Sequence, residues 1–231
     1  VTVERPHSTA DRAGWSVLVV CTGNICRSPI AERLAMARLA PLVAQAGLPP
    51  EAALRVASAG VRACAGEPMH PYASVALGER GAEPGGFRAR QVTTAMVEQA
   101  DLVLCATRQH RAEVVALAPR AVRRCFTLRE FARLSESDSA RLRYRSPAAV
   151  ATDQGSGAGP ARLRAVGRAL VDIAAAARGM APPASPDLDD LTDPLGDDLE
   201  VFHACADLID DALGSVERAL ADLLGLRAER I

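Results

Sequence analysis

Aromatic residues are scarce in this 231-residue chain: one Trp, two Tyr and four Phe, 3% of the total. Stacked rings cannot build a core at that level, so Leu, Val and Ala must supply it. The net charge of −1 gives no electrostatic case for a nucleic-acid or membrane partner. No apolar run is long enough to span a bilayer, and even the Ala-rich stretch 169–177 is interrupted by Asp172. The first twenty residues lack the basic, apolar and small-residue order of a secretory leader. The six cysteines are scattered without paired spacing, which excludes a disulfide framework. His7, His70, His110 and His203 show no ligand spacing, so neither a metal nor another cofactor is expected. No internal repeat is present.

What remains is a globular composition, 49% hydrophobic, with a length suited to one domain. Residues 1–14 read as a polar tail and 15–231 as the domain. Residues 17–20 form a first strand, and Pro29 opens a helix to about residue 40. Residues 54–58, 101–106 and 123–127 have strand length and composition. Helices fit 70–80, closed by Gly81, and 109–118, stopped by Pro119. Strands alternating with helices imply a parallel α/β sheet covered on both faces, with the site beyond its carboxyl edge. Residues 135–185 look like an insertion: a polar and basic stretch, a Gly/Ser-rich segment, and a helix from 160 to 178. Residues 182–190 read as an acidic, Pro-rich linker. The last helix, near 199–224, carries a core-facing stripe that includes Val201, Cys205, Leu208, Ala212 and Val216.

The most informative stretch is Val17-Leu18-Val19-Val20-Cys21-Thr22-Gly23-Asn24-Ile25-Cys26-Arg27-Ser28-Pro29. A strand delivers Cys21 into a loop that leads to a helix N-terminus, where main-chain N–H groups and the helix dipole favour an anion. The same donors stabilise a thiolate. Arg27 adds a planar fork matched to two phosphate oxygens. A nucleophile (Cys21), an oxyanion cradle (the N–H groups of Thr22, Gly23, Asn24, Ile25, Cys26 and Arg27) and a clamp thus lie within seven residues. A Cys near a strand end is ordinarily a small buried hydrophobe. Gly23, Asn24 and the Ser28-Pro29 helix start favour the catalytic reading, and Ser28 is either a donor to the Cys21 sulfur or an ordinary cap or turn serine. A thiolate nucleophile calls for a reducing, cytoplasmic setting.

The run from Cys21 to Glu32 resembles the phosphate-binding loop and first helix of the low-molecular-weight protein tyrosine phosphatases. That family also includes thioredoxin-coupled arsenate reductases and protein arginine phosphatases. Ser58-Ala59-Gly60, Arg88-Ala89-Arg90-Gln91, the segment 100–104 and Asp193-Pro194 keep the family's order. The resemblance implies a single-domain three-layer α/β fold with a four-stranded parallel sheet, flavodoxin-like. It implies a cysteinyl-phosphate intermediate and a phosphorylated protein or small phosphomonoester as partner, on a monomer or weak dimer. Asn24 and Ser58 would brace the loop. Among Asp187, Asp189, Asp190, Asp193, Asp197 and Asp198, the resemblance singles out Asp193 as the general acid, helped by a phosphate dianion that favours its protonated form. Cys26 is either a small buried residue or a redox partner of Cys21.

Departures from the family bear on the substrate. Leu195 follows Pro194, and residues 61–66 contain no aromatic, so rings that would wall a phosphotyrosine pocket are missing there. Tyr144 and its neighbouring arginines are candidates to close the pocket instead. Ile25 matches tyrosine-type members, whereas arginine phosphatases carry Thr at that position. Cys105 stands alone in its region, without the relay that an arsenate reductase needs. Three classes stay open: a phosphatase for protein phosphotyrosine or a small metabolite, an arsenate reductase, and a non-catalytic phosphate-binding domain.

Overall fold

A computed structural model describes residues 13–136, 159–183 and 185–226. Strands β1 (Trp15–Cys21), β2 (Leu54–Gly60), β3 (Leu102–Cys105) and β4 (Cys125–Thr127) form one parallel sheet in the order β2-β1-β3-β4. The helices are α1 (Arg27–Gln45), α2 (Pro50–Ala53), α3 (Pro71–Gly78), α4 (Thr94–Gln99), α5 (Arg108–Leu117), α6 (Leu128–Ser135), α7 (Pro160–Ala177) and α8 (Leu199–Leu224). Trp15, Val17, Val19 and Cys21 face a core shared with α1, α6, α7 and α8. Leu18, Val20, Val103, Cys105 and Cys125 face the opposite layer, with Val97 of α4 and Val114 of α5. Burial on both faces is why residues 17–21 of β1 read as an unbroken apolar run rather than an alternating one. The chain winds one way from β1 to β2 and the other way to β3, which opens a crevice at the carboxyl edge where Cys21 ends its strand.

Several elements differ from the sequence reading. Helix α1 begins at Arg27, two residues before Pro29, and continues through Pro41 to Gln45. Proline removes one main-chain donor there, but buried Leu39, Leu42 and Val43 hold the turns on either side. Helices α4 and α6 were not expected. Thr93 caps α4, and Thr127 with Glu130 forms a reciprocal capping box on α6, which buries Leu128, Phe131 and Leu134.

Within the stretch read as an insertion, α7 belongs to the core, with Leu163, Leu170 and Ile173 buried. Gly167 lies so close to Trp15 that an added Cβ would sit 2.4 Å from the indole. Tyr144 and the polar and Gly/Ser-rich segments between 137 and 158 lie outside the described residues, as do residues 1–12 of the tail. Among the described residues, no helix is long and apolar enough to cross a membrane.

The acidic segment before Asp193 is a fastened strap rather than a solvated linker. Pro186–Asp189 forms a 3-10 turn. Asp189 is 7% exposed and paired with Arg133 at 2.8 Å. Arg108 bonds Asp187 and Asp190. The Leu191 N–H donates to the Ala106 carbonyl at the end of β3 (2.8 Å).

Candidate active site

The loop between β1 and α1 has its carbonyls turned outward. Those of Cys21, Thr22, Gly23 and Ile25 accept from the N–H groups of Val61, Arg62, Cys64 and His70, at 2.8–3.0 Å. With its carbonyls held this way, the loop presents its N–H groups to the hollow. Helix α1 adds its positive end, with no side-chain cap and no acidic residue in its first turn. The path needs Asn24 at φ +57°, a left-handed conformation that Asn tolerates better than most residues. Gly60 is required beside it, because a Cβ there would meet the Thr22 carbonyl oxygen at 2.3 Å.

A hydrogen-bonded brace fixes that shape. The Asn24 carboxamide oxygen accepts from the Arg90 N–H (2.9 Å), which orients the amide. Its Nδ2 then donates to Ser28 Oγ and Ser58 Oγ, both at 2.9 Å. Ser58 Oγ donates onward to buried Glu32 (2.6 Å). Ser28 Oγ accepts from Asn24, and its own proton has two acceptors in reach, the Cys21 sulfur at 3.0 Å and the more distant Ala59 carbonyl at 3.5 Å. Asn24, Ser28 and Ser58 are fully buried, and Cys21 is 2% exposed. Glu32 and Arg90 complete the brace but escaped the sequence reading. Glu32 sits on the face of a helix where a carboxylate is normally solvated, and only the fold brings it to Ser58.

Arg27 is 4% exposed. Its Nη1 donates to the Leu191 carbonyl, and its Nη2 to Thr22 Oγ1, each at 3.3 Å. Nη2 also pairs with the Asp193 carboxylate. Nε is buried with no acceptor among the described residues. One edge of the guanidinium therefore offers an unused donor beside a carboxylate-occupied one, the spacing that two oxygens of a phosphoryl group take up. Of the six aspartates considered, the strap brings Asp193 to Arg27, whereas Asp187, Asp189 and Asp190 go to Arg108 and Arg133, and Asp198 caps α8.

The remaining thiols separate by environment. Cys26 is buried, and its pKa is pushed up to about 12 by desolvation first and by Cys21 next. Cys205 of α8 is likewise raised to about 12, chiefly by burial. Cys105 is not isolated, as its sequence neighbours suggest: its sulfur lies 3.8 Å from that of Cys125 on the adjacent strand. Burial raises the Cys105 pKa. This pair faces the layer opposite Cys21, so the sheet stands between them. Among the described residues, no group of three or more His, Cys, Asp or Glu could hold a metal.

Two further groups reach the loop from distant parts of the chain. His70, whose N–H holds the Ile25 carbonyl, stacks on Phe202 at 4.8 Å, with Tyr72 edge-on to Phe202. Tyr72 is 42% exposed, so an accessible ring stands near a loop whose sequence neighbours lack one. His110 is buried, with Nε2 2.8 Å from Thr22 Oγ1.

Comparison with known proteins agrees with this architecture. The Escherichia coli K12 low molecular weight protein-tyrosine-phosphatase Etp is 38% identical over 104 residues, 45% of this chain and 62% of that protein, so the match spans less than two thirds of Etp. The probable low molecular weight protein-tyrosine-phosphatase EpsP of Ralstonia solanacearum is 32% identical over 154 residues, 66% of this chain and 98% of the relative. The solved structure of the YwlE arginine phosphatase from Geobacillus stearothermophilus shares the fold, with a TM-score of 0.59 at 23% identity, covering 94% of this chain and 99% of that one. Residues 16–147 match the family described as low molecular weight phosphotyrosine protein phosphatase, and the chain belongs to that family.

Proposed function

We propose that this chain hydrolyses phosphomonoesters, with protein phosphotyrosine as its substrate class, through a cysteinyl-phosphate intermediate. The observation that carries the reading is the joint placement of Cys21 against Ser28 and of buried Arg27, paired with Asp193 through Nη2 while its Nε has no acceptor among the described residues. The phosphoryl oxygens take the loop N–H groups and the Nε and Nη2 donors of Arg27, displacing the Asp193 carboxylate from Nη2. Cys21 attacks phosphorus as the P–O bond to the leaving group breaks. Asp193, released and protonated, gives its proton to the departing oxygen. Water then attacks phosphorus, Asp193 takes up a proton, and the S–P bond breaks to return the thiolate and inorganic phosphate. Arg27 and the loop hold the equatorial oxygens throughout, and the Ser28 hydroxyl supports the thiolate as leaving group.

Ile25, and the exposed Tyr72 edge-on to the His70 ring whose main-chain N–H holds the Ile25 carbonyl, support an aryl substrate. Leu195, 54% exposed after Pro194, favours a second reading on the same scaffold, a small-metabolite phosphatase. The arsenate reductase reading finds no support in the Cys105–Cys125 pair, which faces away from Cys21. The test is kcat/KM on phosphotyrosine peptides against alkyl and sugar phosphates. A preference of tenfold or more for the peptides is expected, and a preference for sugar phosphates would move the assignment to the second reading.

A further inference from the structure

His110 lies 88 residues beyond Thr22 in sequence and joins β3's exit to the phosphate loop. Its Nδ1 is 2.7 Å from Thr107 Oγ1, the hydroxyl that caps α5. Its Nε2 is 2.8 Å from Thr22 Oγ1, which also accepts from Arg27 Nη2. The side chain is 4% exposed and has no place in the reaction described above. We propose that His110 is a positioning residue: through the Thr22 hydroxyl it fixes the guanidinium of Arg27 and the first peptide of the loop for phosphoryl binding. The proposal rests on the phosphatase reading and adds a residue to it.

The chemistry of the two partners explains why an imidazole suits this place. A neutral imidazole has one donor and one acceptor, and a hydroxyl on each side can complement either tautomer. A protonated ring would carry two donors and a second positive charge beside Arg27. Burial first, and the Arg27 charge next, lower the His110 pKa to about 4, with Arg62 adding to the fall and Glu113 and Asp193 opposing it. The ring therefore links the two threonines in its neutral form at neutral pH. Once a phosphoryl oxygen displaces Asp193 from Nη2, Thr22 is the protein acceptor that keeps Nη2 in the guanidinium plane facing the loop. Freeing the Thr22 hydroxyl would let the guanidinium rotate about its Leu191 contact and lose the bidentate approach.

The test is a double-mutant cycle on His110→Ala and Thr22→Val, reading kcat and KM for an aryl phosphate and the inhibition constant of inorganic phosphate. Each single variant is expected to weaken phosphate inhibition and lower kcat about tenfold, and the double variant to be no worse than the poorer single. His110→Gln, whose amide can reach Thr22, should recover most of the loss, and His110→Asn, which reaches only toward Thr107, should not. Should His110→Ala fail to fold, Thr22→Val reads the same link with the imidazole in place. Multiplicative losses in the double variant, or phosphate inhibition and kcat within twofold of wild type in folded His110→Ala, overturn the proposal. A wild-type protein that binds phosphate without turning over would instead overturn the phosphatase reading, and the phosphate affinities of the same variants would still decide the role of His110.

Discussion

Arg27 must serve two partners in turn, and this competition is the sharpest consequence at the scale of single residues. Its Nη2 holds the Asp193 carboxylate, which a phosphoryl oxygen has to displace. Asp193→Ala should therefore lower kcat roughly 10²–10⁴-fold on poor leaving groups, yet tighten inhibition by inorganic phosphate or vanadate. Steady-state inhibition measures this, and weaker inhibition would contradict the competition. Arg27→Lys should cost about 10²-fold or more in kcat, because an ammonium cannot reproduce the planar fork. Cys21, Arg27 and the loop were legible because their chemistry is contiguous in sequence. Glu32, Arg90 and His110 were not. Glu32 and His110 are ordinary polar residues on helices and Arg90 one in a loop, and the contacts they make exist only once the fold brings them against Ser58, Asn24 or Thr22.

At the scale of elements, two close approaches make the fold's demands measurable. In Gly167→Ala the new methyl would be driven into Trp15, forcing α7 away from β1. A loss of about 1–3 kcal/mol is expected in urea unfolding, and no loss would mean that α7 is not seated on the sheet as described. The strap before Asp193 illustrates what sequence reading misses in an element. Its aspartates look like a solvated acidic tract, because Arg108, Arg129 and Arg133, which hold it, come some fifty to eighty residues earlier in the chain. Helix α6 was legible in principle, since Thr127 and Glu130 have capping-box spacing, but its short length concealed it. Helix α8 was read at its observed bounds, because a long apolar stripe ending at Gly225 leaves little ambiguity.

At the scale of the whole molecule, the parallel sheet gathers groups from five stretches of chain at one edge, and the buried His110 ties that edge to stability. Its pKa in the folded protein, about 4, lies below the ordinary 6.5, so between those values the unfolded chain binds the extra proton. Its neutral form therefore gives full stability above about pH 6.5, and acid withdraws up to about 3 kcal/mol as pH falls toward 4. Urea unfolding between pH 7 and pH 4 checks this, with His110→Gln expected to flatten the slope. The four parallel strands and the layers that cover them followed from element alternation and from the family resemblance, whereas the strand order comes from the structure, and the course of the chain across 137–158 lies outside the described residues. The central claim is that Cys21 carries the phosphoryl group, and rapid mixing with a ³²P-labelled aryl phosphate, quenched by denaturant, tests it most directly. Wild-type protein should retain label on Cys21 and Asp193→Ala more of it, while Cys21→Ser should show no turnover. Wild-type turnover in Cys21→Ser would contradict the account.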